Sequence, residues 1–104
     1  MIRSSLPHLH IAALSHAGMS GKNNEDRYAV SSFQLSKDDS RPSLFAVVAD
    51  GIGGHRAGEV AAELAVNYIT AVVAESNAKK PISILENAIH HASQSIASHS
   101  AGKE

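Results

Sequence analysis

The spacing of apolar and polar positions changes several times along the chain. Leu9 to Leu14 is a short, mostly apolar run that ends in Ser15, His16, Ala17 and Gly18, the pattern of a strand leaving its sheet through a polar turn. Gly18 to Asp26 carries two glycines, two asparagines and, apart from Met19, no large apolar residue, and reads as loop. Beyond it Tyr28, Val30 and Ser32 alternate with Ala29, Ser31 and Phe33, the period of a strand with two different faces. Leu35 to Pro42 holds Lys37, Asp38, Asp39, Ser40 and Arg41, a solvated run that predicts the exposed connection of a hairpin. Leu44 to Ala49 is continuously apolar, which predicts a strand buried on both faces, and Asp50 closes it.

After Gly51, Gly53 and Gly54 the period lengthens. Val60, Leu64, Tyr68 and Val72 recur at every fourth position beside Ala61, Ala65 and Ile69, predicting a helix of about five turns. Asn77 to Pro81 breaks it. Ser83 with Glu86 three positions later has the form of a capping box opening a second helix, whose apolar face is Leu85, Ala88, Ile89, Ala92 and Ile96. The order strand, strand, strand, helix, helix predicts an α+β fold with an antiparallel sheet and helices on one side. That is thin cover for a strand as apolar as Leu44 to Ala49, so a further packing partner is expected.

Composition narrows the function classes. A chain of 104 residues has room for one domain, and 43% apolar with 18% charged residues suits an ordinary globular fold. Nine basic against ten acidic residues leave a net charge of −1, which supplies no electrostatic reason to expect nucleic acid or an anionic membrane as partner. His8 and His10 interrupt any N-terminal signal core, and no stretch approaches the roughly 18 apolar residues of a membrane span. Without cysteine there is no disulfide framework, thiolate metal site or cysteine nucleophile. The expectation is a soluble, cytoplasmic protein whose partner must be argued from a site.

If the second and third predicted strands form a hairpin, Glu25 and Asp26 before one and Asp50 after the other come to the same end of the sheet. Carboxylates that close repel by about 4 kcal/mol per pair at ~4 Å and an effective dielectric near 20. A cation relieves this, and oxygen donors suit Mg²⁺ or Mn²⁺ better than zinc. Gly51 leaves its carbonyl free as another oxygen ligand. Solvated loop acids or a helix cap are the bland alternative. The glycines also sit between a strand and a helix, as in a phosphate loop, but Arg56 stands where the third glycine of a dinucleotide fingerprint would fall and no Lys-Ser or Lys-Thr pair follows. A nucleotide site is therefore the weaker alternative. His8 and His10 are too few for a metal site, and adjacent His90 and His91 diverge on a helix. His55, at the opening of the first helix, is a candidate for a polar or catalytic role.

Asn23-Asn24-Glu25-Asp26 before a strand, and Ala49-Asp50-Gly51-Ile52-Gly53-Gly54-His55 followed by Ala57-Gly58-Glu59 on a helix, resemble the first two motifs of bacterial metal-dependent serine/threonine phosphatases of type 2C, the PPM family. The resemblance runs from about position 9 to 104 and implies the N-terminal part of a single αββα sandwich domain. It implies two metal ions, Mg²⁺ or Mn²⁺, that hold a water for attack on phosphoserine or phosphothreonine of a protein substrate. Residue by residue, Asp50 would bridge the metals, Gly51 would lend its carbonyl, and Glu25 with Asp26 would hold metal or its waters. The arginine that commonly grips the substrate phosphate falls here on Gly21, beside Lys22, which offers only a point charge. Where eukaryotic members carry a histidine after Asp-Gly, this chain has Ile52. The family's further metal-binding aspartates come from a second half, and no aspartate follows Asp50 in this chain. The expectation is a phosphatase segment that is weakly active or inactive alone and that needs the rest of the domain or an associating chain. A non-catalytic metal- or phosphopeptide-binding module is the rival.

Overall fold

A computed structural model describes residues 1–5, 8–14, 26–51 and 56–101. Strand β1 spans Ile2–Arg3, β2 Arg27–Ser36 and β3 Asp39–Ala49; helix α1 spans Arg56–Glu75 and α2 Pro81–Ala101. The strands form one antiparallel sheet in the order β1-β2-β3. This is the α+β arrangement, in the order β-β-β-α-α, that the periodicities predict.

The first strand is not where the apolar run suggests. Leu9 to Leu14 forms no strand, and Leu9, Ile11 and Leu14 are exposed. β1 instead pairs Ile2 with Gln34 and Arg3 with Phe33, and the Ser4 amide extends it by donating to the Ser32 carbonyl at 2.7 Å. Side-chain anchors explain the choice. The Arg3 guanidinium donates to Ser31 Oγ at 3.2 Å and lies 5.3 Å from the centre of the Phe33 ring, a cation–π contact.

β2 and β3 pair from Arg27 opposite Ala49 to Ser36 opposite Asp39, with an irregularity between Gln34 and Ser36. The expected loop from Leu35 to Pro42 contracts to a turn at Lys37 and Asp38. Polar residues continue the strands because β3 is an edge strand, where neither Arg41 nor Pro42 has to be buried. The Asp39 carboxylate accepts from Arg41 Nε at 3.0 Å and Nη2 at 2.7 Å, and from the Arg41 backbone amide at 3.2 Å. These bonds hold the Asp39 carboxyl below its ordinary range. Their small, solvent-screened contribution to the turn is present at neutral pH and is lost as pH falls through that lowered value.

One sheet face carries Arg27, Ala29, Ser31 and Phe33 against Ala49, Val47, Phe45 and Ser43, and α1 packs on β2 and β3. Phe33 is 1% exposed. Gly58, Ala62 and Val66, one α-helical turn apart, are buried on α1, as is Val73. α2 finds its main partner in α1 through the small buried residues Ala88 and Ala92, while Leu85 and Ile89, expected on the buried face, are exposed. The opposite sheet face holds Tyr28, Val30, Ala46 and Val48, all exposed. Among the described residues β3 thus has helix cover on one face and not on both, because both helices lie on the same side of the sheet.

Helix ends are set by contacts that periodicity does not carry. Met1 donates its ammonium to the carbonyls of Ala74 at 2.9 Å and Ser76 at 2.7 Å, placing positive charge at the C-terminal end of α1, whose last turn has no basic residue. α2 starts at Pro81 rather than at Ser83, since proline is pre-set for the first helical position. Before it, Asn77 Oδ1 accepts from the Lys79 amide at 3.0 Å, and Ala78 sits in the left-handed region at φ 60°.

Two outcomes follow from this packing. Phe33→Ala should destabilise the fold by about 3–5 kcal/mol, measured by urea denaturation; a loss below ~1 kcal/mol would place the core elsewhere. Ala78→Gly relieves a left-handed alanine and should stabilise by up to about 1 kcal/mol, and a lower melting temperature would contradict that origin of strain.

Candidate functional site

The hairpin register brings the two acidic motifs to one end of the sheet. Because Arg27 pairs with Ala49, Asp26 and Asp50 flank the closing residue pair, one just before β2 and the other just after β3. Both are exposed and the following Gly51 is half-buried. Two carboxylates and a backbone carbonyl are oxygen donors only, which suits a hard divalent cation in kind. In number they fall short of a full ligand set: among the described residues no group of three or more His, Cys, Asp or Glu gathers to hold a metal. Glu25, Lys22 and His55 lie outside the described residues.

The sheet end is tied to α1 by a pair of residues that motif spacing alone does not connect. Arg27 Nη2 donates to Glu59 Oε1 at 2.5 Å, with the two side chains 30% and 34% exposed. Arg27 Nη1 also donates to the Asp26 carbonyl at 2.8 Å. One guanidinium therefore holds the backbone of one acidic motif and the carboxylate of the other, using the forked geometry that lysine lacks. Glu59 lies in the first turn of α1, where the helix dipole favours a negative charge. Gly58, beside it, is buried; without a side chain it permits close approach at this end of the helix.

On the sheet face away from α1 a cavity of about 420 Å³ has Leu14, Asp26, Tyr28, Val30 and Val48 among its lining. Tyr28 Oη lies 3.5 Å from the Ala13 carbonyl. Of the histidines, His8 and His10 are exposed, and His90 and His91 are also exposed, with His91 set edge-on to Tyr68, ring centres 6.2 Å apart at 84°.

Residues 15–104, which include both acidic motifs, match the family model for Protein phosphatase 2C. The chain belongs to the protein phosphatase 2C family. No curated protein and no solved structure matches it. Membership points to a phosphatase-type function, and the family in general is metal-dependent and acts on phosphoproteins. Among the described residues no helix of this protein phosphatase 2C chain is long and apolar enough to cross a membrane.

Sequence reasoning picked out both acids at the sheet end but missed Arg27. Its signals were present: an arginine directly after the Asn-Glu-Asp motif and a glutamate in the opening turn of a helix. Nothing local joins them, because they stand 32 positions apart.

Proposed function

We propose that this chain is a protein serine/threonine phosphatase segment acting on phosphoserine or phosphothreonine of a protein substrate in the cytoplasm. Asp50 and the Gly51 carbonyl, with Glu25 and Asp26, are the candidate ligands for Mg²⁺ or Mn²⁺, two ions in a complete domain. What supports the reading most is the pairing of Arg27 with Ala49, which joins the two motifs of the family match at one sheet end. When bound, such ions supply Lewis-acid polarisation and lower the pKa of water. The chain's own residues bind and orient. Asp50 and Asp26 furnish negative charge from two strand ends, and Lys22 is the candidate point charge for the substrate phosphate. His55, at the opening of the first helix in the sequence, is a candidate for a polar or catalytic role.

A non-catalytic metal- or phosphopeptide-binding module is the second reading, since Asp26, Asp50 and the Gly51 carbonyl fall short of a full ligand set among the described residues. Turnover separates the two readings. The chain as given should hydrolyse p-nitrophenyl phosphate poorly with Mn²⁺.

Asp50→Asn keeps the shape while removing one of the converging charges, so melting without metal should be unchanged or slightly raised. Mn²⁺ binding, followed by titration calorimetry, should be lost, as should phosphatase activity in a full-length protein. Glu25→Gln should be milder, about 10–100-fold in metal affinity. Near-normal Mn²⁺ binding by the Asp50→Asn chain would reduce Asp50 to a solvated loop acid.

A further inference from the structure

We infer that Arg27 and Glu59 form a positioning pair: one guanidinium holds the Asp26 backbone against the first turn of α1 and so sets the spacing between the two acidic motifs. The inference rests on the metal-site reading above for its purpose, though not for its geometry.

Three observations carry it. Arg27 spends two separate nitrogens on two separate motifs, Nη1 on the Asp26 carbonyl and Nη2 on Glu59. Arg27 is also the residue opposite Ala49, so its backbone is registered to the strand end that carries Asp50. Finally, Glu59 lies in the first turn of α1, so the same guanidinium ties the start of that helix to the strand end beside Asp26 and Asp50.

Exposure argues against a mainly stabilising role. Both side chains remain about one-third exposed, and ion pairs screened by solvent add little net stability. An effect on local position is what such a pair can exert, because its two bonds are directional and the donor fork is rigid.

The sign of one variant separates positioning from charge. Arg27→Gln removes a cation beside the candidate metal ligands, so by charge alone it strengthens Mn²⁺ binding; Glu59→Gln removes an anion and by charge alone weakens it. A positioning pair predicts that both weaken it. The two act as a unit, so the double variant should be no worse than the worse single.

The experiment uses the full 104-residue chain, its two single variants, the double variant and Asp50→Asn. Amide hydrogen exchange without metal is measured first. Exchange at Asp50, Gly51 and Glu59 should quicken at least about fivefold in each single variant, with Ser31 and Phe45 unchanged. Exchange that is unaltered, or quickened equally throughout, overturns the pair's positioning role. Titration with MnCl₂ follows, with a several-fold loss of affinity expected in both single variants. Stronger binding by Arg27→Gln, or additive losses in the double variant, would overturn it as well. Intact Mn²⁺ binding in Asp50→Asn, or none in the unaltered chain, instead sinks the metal-site reading and leaves the pair to be judged by exchange alone.

Discussion

The antiparallel register of β2 and β3, which sets Arg27 against Ala49 and Ser36 against Asp39, constrains both the core and the candidate site. Side chains alternate along a strand, so a slip of one residue would move Phe33 from the helix-covered face to the open one. The same slip would separate Asp26 from Asp50. A turn at Lys37 and Asp38 joins the strands, and the bonds between Asp39 and Arg41 support its exit. Packing and chemistry thus depend on one alignment, and the buried Phe33 side chain holds that alignment from the core.

The sheet is unevenly covered. One face lies beneath α1, and α2 rests chiefly on α1 in turn, so a second helix adds a layer without covering more sheet. The other face carries Tyr28, Val30, Ala46 and Val48, of which Val48 is 76% exposed. An apolar sheet surface of this kind favours association, since each buried methylene contributes roughly 0.8 kcal/mol. Asp26, Asp50 and Gly51 sit at the end of this same sheet, with Asp26 among the residues that line the cavity on the face away from α1.

The two ion pairs show how placement outweighs strength. Asp39 and Arg41 are two positions apart on one strand, so their bonds shape a turn and reach nothing else. Arg27 and Glu59 join a strand end to a helix start, where a small displacement is felt by both acidic motifs. Neither pair contributes much free energy while solvent screens it. Only the second joins the strand end beside Asp26 and Asp50 to the start of α1.

Some of this was legible in residue types and local spacing. Alternation from Tyr28 to Phe33 marked β2, the apolar run to Ala49 marked β3, and the recurrence of Val60, Leu64 and Tyr68 marked α1, because each element imposes its own period on the side chains that face a core. The two acidic motifs stood out as runs of neighbouring residues, and a hairpin was enough to set Asp26 and Asp50 beside one closing pair. β1 was not, since two residues carry no period and Arg3 finds its place only through Ser31 and Phe33. The start of α2 at Pro81, the open outer face of β3 and the exposure of Ile89 were likewise decided by what packs where. Only the tertiary structure could join Arg27 to Glu59, because an ion pair depends on distance in space and the chain order holds these residues 32 positions apart.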